Sequence, residues 1–154
     1  VGLLNYIKTH SEEYTFIDRS IAKNEEEKRQ IHAKAILSDY YLMSTNAFTM
    51  DGQLVNIDGN GNRVSALCYG PKHVVIITGM NKLTPSVEDA YKRIRQDACP
   101  PNCVRLGLPT PCSKTGVCGD CMSASSICDL FVTTRMSRYP DRIHIIMVGE
   151  ELGY

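Results

Sequence analysis

The chain has 154 residues with 17 basic and 17 acidic side chains, so its formal net charge is zero. This length predicts one domain, and a composition that is 43% hydrophobic excludes disorder as the main state. The lack of net charge argues against a general nucleic-acid or membrane-surface binder, and no apolar run approaches the ~18 residues of a membrane span.

The first half of the chain predicts a helix, paired strands and a short second helix. Asn24, followed by three glutamates, can cap a helix that ends near Ser38. Residues 40–57 are rich in strand formers around a tight-turn signal, which indicates a hairpin or a bent strand pair. Asn62 can cap a short helix reaching about Tyr69, and we expect Cys68 to be buried in it.

The second half predicts buried strands around a second long helix. His73–Gly79 is a nearly continuous apolar run, typical of a strand buried on both faces. Thr84 can cap the next helix, whose predicted inward face consists of Val87, Ala90, Tyr91, Ile94 and Ala98. Residues 128–134 and 142–149 read as two further strands. This alternation predicts an α/β layered domain with a mainly parallel sheet, and ligand sites after the strands at 58–62, 79–82 and 149–151.

Six of the seven cysteines lie in the segment 99–128, which is too rich in proline and glycine for one long regular element. Four of them have the spacing Cys112-x5-Cys118-x2-Cys121-x6-Cys128. Nothing indicates secretion, so this clustering favours a metal site, either zinc or an iron–sulphur cluster, in a cytoplasmic protein. Reduced thiols with an incidental disulfide, and a working dithiol redox site, are the alternatives.

The turn before the short helix is a candidate anion site. Successive glycines and asparagines can aim backbone N–H groups at an anion, and Arg63 can clamp a carboxylate or phosphate. The alternative is a tight turn in which Asp58 and Asn62 only cap the helix. The candidate ligand-binding residues are Asn46, Asn56, Asp58, Gly59, Gly61, Asn62 and Arg63.

Glu150, directly after the last strand, is a candidate catalytic nucleophile or base, although a solvated carboxylate is the simpler interpretation. His73 and His144 are expected to be hydrogen-bonded structural residues rather than general bases. Arg93 and Arg95 are expected on a solvated helix face.

Three motifs together resemble those of the LUD-domain proteins, the lactate-utilisation family. They are Asn46–Val64, the segment Thr110–Cys128 with its four cysteines, and the ending Arg142–Tyr154. The resemblance implies a three-layer fold of the NagB/RpiA/CoA-transferase-like superfamily. It also implies that this chain lacks an N-terminal part of the family's domain, and that exposed sheet surface can associate into a homodimer.

The resemblance further implies a component of the system that oxidises L-lactate to pyruvate, acting as an accessory or electron-transfer subunit beside iron–sulphur proteins. The alternative is a small-molecule enzyme of the CoA-transferase or isomerase type that binds an anionic metabolite such as lactate at the Asn56–Arg63 loop. A third interpretation is a sensing or purely structural domain.

Overall fold

The computed structural model describes residues 2–154. Its helices are α1 (Leu3–Thr9), α2 (Glu25–Ile36), α3 (Asn62–Cys68), α4 (Val87–Arg93), α5 (Cys99–Arg105) and α6 (Pro111–Thr115). Its strands are β1 (Tyr40–Met43), β2 (Ala47–Thr49), β3 (Leu54–Asp58), β4 (His73–Gly79), β5 (Leu83–Thr84), β6 (Leu130–Thr134) and β7 (Ile143–Val148). Turns of 3₁₀ helix cover Arg19–Ile21 and Met80–Lys82, and a π-helical turn covers Ile94–Ala98.

The strands form two sheets. β1, β4 and β7 make a parallel sheet in the order β1-β4-β7, and the others make a mixed sheet in the order β5-β2-β3-β6. The chain is therefore an α/β domain with mostly parallel pairing, as predicted. The division into two sheets was not predicted: β2 and β3 form the expected hairpin, whereas β1 pairs in parallel with β4.

Two apolar clusters hold these layers together. In one, the predicted inward face of the second long helix packs on the mixed sheet, with Ala90, Ile94 and Ala98 buried against Val55 and Ile57. In the other, Leu67 of α3 packs against side chains of both sheets: Phe48, Leu54, Val74 and Ile76. The second cluster fixes the edge of the parallel sheet beside the hairpin, which positions the candidate site.

The helix starts follow their capping residues. Asn24 caps α2 as predicted, since its Oδ1 accepts from the Glu27 amide at 2.8 Å. The cap of α4 is Ser86, whose Oγ accepts from the Asp89 amide at 3.1 Å, and not Thr84. Thr84 lies in β5 instead, because its pairing with β2 keeps it extended.

A π-helical turn joins α4 to α5, so helical backbone continues from Val87 to Arg105. The Cys99 amide donates to the Ile94 carbonyl, five residues back. Pro100 and Pro101 lack an N–H group, and their rings would clash with the carbonyls four residues earlier in a regular helix. The wider turn relieves that clash. As expected, the segment 99–128 is not one long regular element, since its helices α5 and α6 have seven and five residues.

Arg142, at the amino end of β7, fastens α3 to the parallel sheet. Although buried, its guanidinium donates to the carbonyls of Ala66 and Leu67, both at 2.7 Å, and of Pro71 at 3.1 Å. Carbonyls at the C-terminus of a helix lack intrahelical partners, so the cation satisfies groups that would otherwise be buried unpaired.

The outer face of the parallel sheet is open to solvent. Tyr40 stacks on His73 with ring centroids 4.9 Å apart, His144 lies beside His73, and Ile146 is half exposed. The predicted exposure of sheet surface is confirmed, while association through it stays a prediction. Cys68 is exposed, so its predicted burial is wrong. Among the described residues, no helix combines the length and apolar composition that a bilayer span requires.

Candidate functional site

The carboxyl ends of β1, β4 and β7 meet at one edge of the parallel sheet. The Asn81 side chain joins two of the loops there, because it donates to the Gly153 carbonyl and accepts from the Leu152 amide. Gly79 ends β4 where a Cβ would lie 2.5 Å from the Glu150 carbonyl and the Leu152 amide. The close approach of these loops therefore requires glycine at position 79.

Lys82, in the loop after β4, is the central residue of this edge. Its side chain is buried, with 6% of the residue exposed, and its Nζ lies 3.3 Å from the Ser44 hydroxyl and from the Thr45 carbonyl. Burial, followed by repulsion from Arg93 and Arg63, lowers the pKa of Lys82 to about 8. No carboxylate lies within 4 Å of the Lys82 ammonium among residues 2–154.

Arg93 turns inward toward the same edge, so its expected place on a solvated face is wrong. Its guanidinium donates to the Asn81 and Asn46 carbonyls, both at 2.9 Å. These bonds hold the helix against the loops after β1 and β4. Arg93 forms no ion pair with the described residues.

Asn46 and Asn56 lock the start of the hairpin to its second strand. The Asn46 amide donates to Asn56 Oδ1 at 3.1 Å, and Asn46 Oδ1 accepts from the Ile57 amide at 3.0 Å. Thr45 Oγ1 reaches the same Asn56 oxygen at 3.3 Å. Asn56 is fully buried, yet its Nδ2 has no hydrogen-bond partner among the described residues. A buried donor without a partner costs free energy, so this amide is a candidate ligand contact.

The predicted anion turn is filled by the chain's own carboxylate. Asp58 Oδ2 accepts from the Arg63 and Val64 amides at 3.1 and 3.2 Å, and the Arg63 Nε lies 3.5 Å away. Asp58 therefore satisfies the N-terminus of α3, as the capping alternative expected. Gly61, with φ of 78°, is the N-cap, and Asn62 is the first helical residue and makes no side-chain cap. Gly59 packs on the Ile127 backbone, 3.2 Å from where a Cβ would lie.

Glu150 lies beside this edge but is exposed. Its carboxylate forms no ion pair with residues 2–154. A catalytic role for Glu150 stays a prediction.

We call Lys82, Arg93, Arg63 and Asn56 the Lys82 cluster. The sequence-based set contained Asn56 and Arg63 and missed Lys82 and Arg93. The sequence predicts a ligand site in the loop 79–82 but does not single out its lysine, because the burial of Lys82 depends on contacts with the end of β1 and the hairpin. A cation three residues after the end of a buried strand was the available signal.

The four predicted metal ligands have different surroundings. Cys112 is buried beside Thr110, the Cys118 sulphur accepts from Arg95 Nε at 3.4 Å, and Cys121 contacts Ser123. Cys128 lies against Cys99, outside the predicted quartet. Among residues 2–154, no three Cys, His, Asp or Glu side chains form a group able to hold a metal ion. The described residues therefore do not fit a zinc or iron–sulphur site, and such a site stays a prediction from the sequence.

Residues 4–148 match the family model of the LUD domain. The chain belongs to the LUD domain family. The comparisons match it to no curated protein and to no solved structure. Family membership indicates a role in lactate utilisation and agrees with the resemblance carried by the three sequence motifs.

Proposed function

We propose that this LUD domain serves lactate utilisation by binding a small carboxylate of the lactate and pyruvate class at the Lys82 cluster. The observation that carries the proposal is a buried ammonium without a carboxylate partner, close enough to two guanidinium groups for them to lower its pKa. A buried charge is costly unless it is paired, so a ligand anion would remove an existing penalty.

The position of the cluster supports the same proposal. Ligands of open parallel sheets bind at the carboxyl ends of the strands, and Lys82 follows β4 at that edge. The unpartnered Nδ2 of Asn56 supplies a neutral donor, while Lys82 and Arg93 supply charged ones. The NagB/RpiA/CoA-transferase-like fold suggested by the resemblance would place its ligand at an equivalent edge.

Calorimetric titration with L-lactate and pyruvate tests this proposal. Loss of a charge-assisted hydrogen bond costs about 1.5–3 kcal/mol, so Lys82→Met should weaken binding ~10- to 100-fold. Lactamide, which has nearly the shape of lactate without its charge, should bind far more weakly than lactate. Affinity should also fall as the pH rises above 8, because the ammonium loses its proton.

Lys72→Met is the matched control, since Lys72 is an exposed lysine paired with Asp39 at the other end of the sheet. It should leave the affinity unchanged. Equal affinities for the wild type and Lys82→Met, or equal affinities for lactate and lactamide, would refute the proposal. Glu150→Gln separates binding from catalysis. If the protein is an accessory domain, this variant should bind lactate with wild-type affinity, and neither protein should turn lactate over.

A further inference from the structure

The cysteines group in pairs rather than as a quartet. The sulphur atoms of Cys99 and Cys128 lie 3.5 Å apart, although 29 positions separate the residues. Cys103 contacts Cys112 in the same region. A disulfide requires two sulphur atoms to approach to about 2.05 Å, so a small side-chain movement would join Cys99 to Cys128.

We propose that Cys99 and Cys128 form a redox-active dithiol that exchanges with low-molecular-weight disulfides and closes to an intramolecular disulfide. Cys99 is the first residue of α5, and Cys128 lies two residues before the start of β6. Closure would therefore tie the helix to the mixed sheet. This proposal is independent of anion binding at the Lys82 cluster.

The two thiols differ in burial, and this difference gives them different roles in the exchange. Cys99 is buried in the apolar cluster of α4 and β3, whereas Cys128 is half-buried at its margin. An incoming disulfide can therefore reach Cys128 first, and Cys99 is placed to attack the resulting mixed disulfide. Arg95 adds a nearby positive charge, and its Nε contacts Cys118.

The exchange balances in two steps. The Cys128 thiolate attacks one sulphur of RSSR, a Cys128–SR bond forms, the reagent's S–S bond breaks, and RS⁻ leaves to take up a proton. The Cys99 thiol then loses its proton and attacks the Cys128 sulphur, which forms the Cys99–Cys128 bond and releases a second RS⁻. The two thiol protons end on two RSH molecules, and two electrons pass from the protein to the reagent.

Peptide mapping after equilibration with glutathione redox buffers tests the proposal on the whole chain. Trypsin cuts after Arg95, Arg105, Lys114 and Arg135, so Cys99 lies in peptide 96–105 and Cys128 in peptide 115–135. After alkylation of free thiols, the expected product is a cross-link of these two peptides, reached from both the reduced and the oxidised sides. A cross-link of 96–105 to 106–114, the peptide that carries Cys112, in place of the expected product would overturn the assignment.

Single substitutions identify the partners. Cys99→Ser and Cys128→Ser should each abolish the cross-link, and Cys99→Ser should accumulate glutathione on Cys128 because the second thiol is absent. Cys121→Ser is the matched control in the same peptide and should keep the cross-link. The proposal would be refuted if all thiols of the wild type could still be alkylated after incubation with oxidised glutathione. It would also be refuted if the cross-link formed in Cys99→Ser.

Discussion

Arg142 and Lys82 are both buried cations of the parallel sheet, but they lie at opposite edges and are satisfied differently. Arg142 donates to three carbonyls around the end of α3. Lys82 has one hydroxyl and one carbonyl, and two other cations act on it. The first arrangement completes a fold, whereas the second leaves positive charge in need of an anion.

This difference shows that burial alone does not identify a functional cation. The hydrogen-bond partners of a buried cation indicate whether it can bind a ligand, because a group whose donors are all used inside the protein has none to offer. Replacing the two cations should therefore change stability in opposite directions.

The largest effect is expected at the Lys82 edge from Gly79→Val. Its Cβ would lie 2.5 Å from two backbone atoms of the loop after β7, so the loop must move. We expect a loss of about 4 kcal/mol in the free energy of unfolding, measured by urea denaturation. The control Gly149→Ala lies at the start of that loop with no atom within 4 Å of the new Cβ, and should change stability by less than ~0.5 kcal/mol. Similar losses for both variants would show that the close packing at Gly79 is not the cause.

At the opposite edge, Arg142→Met should cost about 3 kcal/mol, because it leaves the carbonyls of Ala66, Leu67 and Pro71 without their donors. Urea denaturation measures the loss, with the exposed Arg135→Met as control. A neutral result at Arg142 would contradict the structural role assigned to this cation.

Lys82→Met should instead stabilise the protein, by about 2 kcal/mol at pH 7, since it removes a cation that burial disfavours. Between pH 8 and 10.5 the unfolded wild type binds more protons than the folded one, so wild-type stability rises with pH there. The advantage of the variant should shrink over that range. Denaturation midpoints across pH measure it, and a destabilised variant would mean that Lys82 is as fully satisfied as Arg142.

Arg95 is a third cation, half-exposed and paired with Asp120, and it should show the smallest effect. Arg95→Gln should raise the pKa of Cys128 and slow its alkylation at pH 7 about two-fold, as expected for a partly exposed charge pair. Iodoacetamide kinetics followed by peptide mapping measure this rate. An unchanged rate would show that Arg95 does not contribute to the lowered pKa of Cys128.

Local signals predicted much of the fold. The cap at Asn24, the position of strand β4 and the inward face of α4 are as expected, because each depends on residues close in sequence. The predicted burial of β4 on both faces is wrong, since His73, Val75 and Ile77 are only partly buried on the open face of the sheet. The pairing of β1 with β4 and the burial of Lys82 depend on contacts across 30 or more positions, which spacing does not encode. The contact between Cys128 and Cys99 was not predicted for the same reason, since 29 positions separate the two residues.

The π-helical turn between Arg93 and Cys99 sets the rotational phase of the two helix segments it joins. Each residue of an α-helix advances about 100° around the axis. If the same residues formed a regular α-helix, Cys99 would no longer bond to Ile94 five residues back, and everything beyond the turn would be rotated by about that angle. Arg93 would still face Asn46, but Cys99 would turn away from Cys128. The extra residue is therefore what allows one helical segment to contact both the Lys82 edge and Cys128.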